Sequence, residues 1–102
     1  MVQPMDIRYL KATVKPLCDD FHVKRLDVFG SVAKQTATPK SDIDLIVEFN
    51  NPDQQPSRRY FGLLHRLEEV LGTEIDLITI DGLKNPFFKR RILSERVPIY
   101  ER

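Results

Sequence analysis

The sequence lacks several things, and each absence narrows what it can be. It has one cysteine, Cys18, so no internal disulfide can form, which fits a reducing compartment. It has almost no net charge, +1 over 102 residues. That removes any bulk electrostatic argument for nucleic acid or a membrane surface. It has no apolar run near the roughly 20 residues of a membrane span. Its first residues, MVQPMDIRYLK, hold no apolar stretch of the signal-peptide kind, so a cytoplasmic location is expected. Repeats and low-complexity segments are missing too. The length is expected to make a single domain, residues 1–102, with one modest core.

Apolar periodicity sets out what is there. Ile7, Leu10, Val14, Leu17 and Phe21 recur at helical spacing, so a helix is expected over 5–21, with Asp6 in its first turn. Pro16 falls inside it and is expected to kink it or end it early. VKRLDVF, 23–29, reads as a strand ending at Gly30, followed by a short helical turn, SVAKQT, and a loop broken by Pro39. DIDLIVEF, 42–49, is the strongest strand, with Ile43, Leu45, Val47 and Phe49 facing a core. A polar loop follows. A second amphipathic helix spans 57–71, with Tyr60, Leu64, Leu67 and Leu71 as its stripe, Ser57 as N-cap and Gly72 as its stop. TEIDLITI is a third strand, Asp81-Gly82 a turn, and 86–95 a last helix with Pro86 in its first turn. VPIYER reads as an extended tail. The order α-β-α-β-α-β-α favours helices packed on a sheet.

Carboxylates inside a strand need an explanation. Asp42 and Asp44 point the same way, about 6.6 Å apart along the chain. They repel each other unless a cation lies between them, and an all-oxygen ligand set suits Mg²⁺ or Mn²⁺. Cys18, His22 and His65 are not grouped with acids at a ligand spacing, so zinc is not expected. Gly30-Ser31 supplies a complementary half: a glycine that permits close approach to a phosphate, turn amides as donors, and a hydroxyl. Asp76 in the third strand joins Asp42 and Asp44 if that strand pairs with 42–49. Three such acids can hold two metal ions about 3.5–4 Å apart for in-line phosphoryl chemistry.

Each piece has an ordinary reading. An Asp-x-Asp is common on solvent-facing strands, Gly-Ser is an everyday turn, and Asp76 alone is a strand-end charge. Glu48 and Glu74 share the faces of these acids and read as solvated rim residues. Ser41 is a turn or capping residue, and Lys34 a solvent-facing lysine near the phosphate loop. In NPFFKRRILSER, a helix with Phe87 and Ile92 buried and a solvated basic face is preferred over a partner or RNA contact.

The spacing is more specific than its parts. Gly30-Ser31, ten residues, then Asp42-Ile43-Asp44 is similar to the G-S-x₁₀-D-x-D signature of the polymerase-β-like nucleotidyltransferases. IDLITIDGL resembles their third-acid strand, and FFKRRILSERVPIY the closing segment of the minimal members, so the resemblance covers nearly the whole chain. Within that superfamily it resembles the MntA-type antitoxins, partners of HEPN ribonuclease toxins.

The resemblance implies an α/β nucleotidyltransferase fold of the polymerase-β palm type, a mixed sheet of three to four strands packed with helices. Gly30 and Ser31 would hold the triphosphate of ATP. Asp42 and Asp44 would bind both Mg²⁺ ions, and Asp76 would complete the metal site and help deprotonate the attacking hydroxyl. The reaction would be AMP transfer to a tyrosine of a HEPN toxin encoded nearby, within a hetero-oligomer, with no membrane and no independent nucleic-acid binding. The alternatives are transfer to a small molecule such as an aminoglycoside, against which the shortness of the chain argues, and neutralisation by binding alone. Many relatives carry glycine where this chain has Gln35 and arginine where it has Val32.

Overall fold

A computed structural model describes residues 6–33 and 42–102, and of Ser31 the backbone only. Lys34, Gln35, Pro39 and Ser41, with the expectations attached to them, lie outside the described residues.

Helix α1 (Ile7–Asp20) starts one residue after Asp6, whose side chain accepts from the Arg8 amide at 2.8 Å. Asp6 is therefore its N-cap rather than a first-turn residue. Pro16 does not end the helix. Both Pro16 and Ala12, whose carbonyl loses its partner, are exposed, so that carbonyl faces water. Leu10, Val14, Leu17 and Cys18 form the buried face.

Strand β1 (Val23–Phe29) leads through Gly30 into a single turn, α2 (Gly30–Ala33), and β2 (Ile43–Phe49) follows. Helix α3 (Pro56–Leu71) begins at Pro56, and its N-cap is Gln55 rather than Ser57. Proline with its fixed φ takes the first helical position, which places Ser57 inside the helix. The buried centre of α3 is Arg59, Leu63 and Leu67, with Tyr60, Leu64 and Leu71 on its half-buried flank. Gly72 closes it at φ +66°, its amide donating to the Glu68 carbonyl. Then come β3 (Ile75–Thr79), a 3₁₀ turn (Ile80–Gly82) and α4 (Pro86–Glu95), capped by Asn85. The expected tail is a strand, β4 (Val97–Glu101). It pairs antiparallel with β1 and carries Pro98 on the sheet edge, which is why propensity alone leaves it unassigned.

The sheet order is β3-β2-β1-β4, with β2–β3 parallel and the other pairs antiparallel. It is the expected mixed sheet. One face packs on α1 and α3 in the main core, around Leu10, Leu26, Leu45, Leu63 and Leu67. The other bears a smaller core of Phe29, Ile46, Leu83 and Ile92, which α4 covers. No helix among the described residues is long and apolar enough to cross a membrane.

Candidate functional site

The acids of interest lie on the α4 face, next to the smaller core. Asp44 alternates with buried Ile43 and Leu45, so it shares a side with Ile46, two residues along. The register sets Phe29 of β1 opposite Asp44, and Asp44 opposite Asp76 of β3. Adjacent strands lie about 4.8 Å apart, so Asp44 and Asp76 are direct neighbours. Asp42 is exposed and immediately precedes β2. The pairing required to unite Asp76 with the other two is therefore present.

Gly30 stands against Asp44. Its φ is +67°, and a Cβ built there would strike the Asp44 carboxylate oxygen and lie 3.2 Å from its Cγ. Glycine is needed both for the left-handed turn and for the carboxylate's approach. Val32, two residues later, is buried in the main core and anchors α2 by packing. Of Ser31, the backbone lies in α2.

Electrostatics separates this site from the other carboxylate embedded in a strand. Burial raises the Asp44 carboxyl above its ordinary value, and the charges of Asp76 and Asp42 push it the same way. Among the described residues, no lysine or arginine pairs with Asp42, Asp44 or Asp76. Asp27, between Leu26 and Val28 of β1, is 1% exposed, yet it is fully answered. Arg25 Nε donates to both its oxygens at 3.0 and 2.9 Å, and Arg96 donates at 3.1 Å. Asp27 was legible as a second charge within an apolar strand. Glu48 is half-buried and pairs with Lys24 at 3.7 Å, and Glu74 is exposed, so both sit at the rim.

The donor chemistry of the three aspartates fits Mg²⁺ or Mn²⁺. No three His, Cys, Asp or Glu side chains among the described residues form a ready-made cation cage. A Mg²⁺ ion takes one or two carboxylates and completes its shell with water and substrate phosphates.

Two supporting residues had no role assigned from the sequence beyond Tyr60's place in the helical stripe. The Tyr60 hydroxyl donates to the Leu77 carbonyl at 2.5 Å, fastening the edge strand β3 beside Asp76. Burial, then the Asp76 charge, pushes that phenol above its usual value. Arg59, 9% exposed, donates to five backbone carbonyls, those of Phe21, His22, Asn50, Asn51 and Gln54, at 2.6–3.1 Å. Its guanidinium also lies 4.6 Å from the Phe49 ring centroid. It ties together two turns that hold His22, Asn51 and Gln55 at positive φ.

A mixed sheet that sets Asp44 beside Asp76, with Asp42 just before β2 and a glycine turn against Asp44, is an α/β domain with one concentrated acidic site. The nucleotidyltransferase domain family matches residues 10–99, and the chain belongs to that family. A relative from Methanocaldococcus jannaschii, MJ1379, a protein adenylyltransferase by name, is 39% identical over 86% of this chain and 88% of its own length. Protein adenylyltransferase MntA of Thermococcus cleftensis is 35% identical over 78% of this chain and 79% of its own. Among solved structures, one described as a minimal nucleotidyltransferase superposes with a TM-score of 0.78 at 32% identity, covering 95% of this chain and 99% of its own. The MNT antitoxin complexed with a tri-AMPylated Shewanella oneidensis HEPN toxin shares the fold, with a TM-score of 0.63 at 14% identity over 95% of this chain and 74% of that one.

Proposed function

We propose that the chain transfers AMP from ATP to a tyrosine hydroxyl of a HEPN-type protein encoded nearby, and so acts as its antitoxin in the cytoplasm. The observation that carries this reading is the contrast between two carboxylates set within its strands, Asp27 and Asp44. Asp27 is paired within the fold, whereas Asp44 is held beside Asp76 and Asp42 with its carboxyl raised and no described cation against it. A fold that tolerates such repulsion gains from it when a cation-bearing substrate binds. Family membership supports nucleotidyl transfer, and the named relatives support a protein acceptor.

Asp42, Asp44 and Asp76 would hold two Mg²⁺ ions, which supply charge neutralisation on the triphosphate. Gly30 and Ser31 would receive the phosphates at the turn into α2. The acceptor oxygen attacks the α-phosphorus, an O–P bond forms, and the bond to pyrophosphate breaks. Asp76, exposed on β3, takes the hydroxyl proton. Tyr60 keeps that strand in register.

Incubating the chain with ATP, Mg²⁺ and the HEPN-type product of the adjacent gene tests this. Intact mass spectrometry should show one or more AMP groups on that product. An unmodified product, with the two chains shown to associate, would leave binding alone as the mode of neutralisation. Modification of an aminoglycoside by the chain alone would redirect the reading to small acceptors.

A further inference from the structure

Helix α4 breaks the expectation of a solvated basic face over two buried anchors. Ile92 is buried, but Phe87 is 79% exposed and Phe88 47%. At 100° per residue, Phe87, Arg90 and Ser94 form the crest pointing away from Ile92, with Arg91 on one flank, whereas Phe88 lies about 40° from Ile92. Residues 84–96 hold five of the sixteen lysines and arginines but one of the fifteen acids. This segment is thus a basic strip on a body that is otherwise net acidic. Arg91 pairs with Glu95 at 3.6 Å and Arg96 with Asp27. Lys84, Lys89 and Arg90 have no ion-pair partner among the described residues.

Location gives the strip its meaning. Helix α4 covers the sheet face that bears Asp44 and Asp76, through Phe29 and Ile46, and packs against α2. Any protein that brings a hydroxyl to those acids must come down beside α4. We propose that the α4 crest, Phe87 and Arg90 with Arg91 on its flank, is the docking ridge for the protein acceptor, which meets it with an apolar cup edged by carboxylates. This rests on the reading of a protein acceptor given above. Exposed aromatics and arginines are the residue types that dominate such interfaces. RNA fits less well: two of the strip's arginines already hold carboxylates, and the acids next to α4 repel a phosphate backbone.

The test is the double variant Phe87→Ala/Arg90→Glu, both at exposed positions, with its melting temperature as the folding check. Affinity for the HEPN-type protein is measured calorimetrically without nucleotide, alongside Mg·ATP binding and transfer kinetics. Affinity for the acceptor should fall roughly tenfold or more, and KM for it should rise, at unchanged kcat and Mg·ATP affinity. Unchanged acceptor affinity overturns the ridge. Intact acceptor affinity with lost binding of a single-stranded RNA oligonucleotide overturns it in favour of nucleic acid. Should the wild-type chain bind the HEPN-type protein without modifying it, and the variant lose that binding, the ridge stands and only the transfer reading fails.

Discussion

Exchanging Gly30 for alanine separates a backbone effect from a site effect, because the fold supplies its own control. Gly30 and Gly72 have nearly the same φ, +67° and +66°. An alanine at either pays the left-handed penalty of about 1–2 kcal/mol. At Gly72 the new methyl meets nothing within 4 Å. At Gly30 it collides with the Asp44 carboxylate, which must swing away or leave its rotamer at about 0.5–1.5 kcal/mol. Swinging toward water recovers part of that, since burial already disfavours the Asp44 charge. The two variants should therefore melt within a few degrees of each other. Each kcal/mol corresponds to about 4–8 °C in a domain of this size. Their activities should diverge, because misplacing a reacting group by about 1 Å costs on the order of a hundredfold. Calorimetric melting and radiolabelled AMP transfer measure the two quantities. A Gly30→Ala chain that transfers at the wild-type rate, or a Gly72→Ala chain equally impaired, would refute the reasoning.

Three further outcomes follow from the same contacts. Arg59→Lys has three donors for five carbonyls and should lower stability by about 2–3 kcal/mol in urea titrations; an unmoved midpoint would mean the clasp is idle. Asp44→Asn should abolish transfer yet raise the melting temperature without divalent cations. The folded carboxyl titrates above its unfolded value, so its contribution is most favourable when protonated and is lost as pH rises through the raised value. The variant's advantage should therefore grow as pH rises above the ordinary carboxylate range, and a constant difference would contradict it. Cys18, pushed up to about 12 by burial and then by the Asp19 charge, should resist iodoacetamide in the native protein and react only in urea; rapid native labelling would contradict its burial.

Much of the fold was legible because local pattern and tertiary context agree. β1 and α4 fall on the expected residues, since each is bounded by its own punctuation: Gly30 after one, Pro86 and the Asn85 cap around the other. The pairing of Asp44 with Asp76 was conditional on a register that the sequence does not encode locally. Three features escaped for tertiary reasons. β4 exists because β1 offers it a partner, not because of its own propensity. Arg59 sits where an apolar stripe residue belongs, because five carbonyls from distant turns converge on it. Phe87 was expected inside, but the helix phase that buries Ile92 turns it outward. Asp27 and Asp44 look alike in sequence; only the positions of Arg25 and Arg96 distinguish them.

The account's central claim is that Asp42, Asp44 and Asp76, rather than the acids around them, make the transfer centre. The direct measurement is AMP transfer to the HEPN-type protein by five single variants under identical Mg·ATP. Asp42→Asn, Asp44→Asn and Asp76→Asn should each lose about a hundredfold or more. Glu48→Gln and Glu74→Gln, at the rim, should stay near the wild-type rate. Full activity in any of the three aspartate variants, or an equal loss in the two glutamate variants, would contradict the claim.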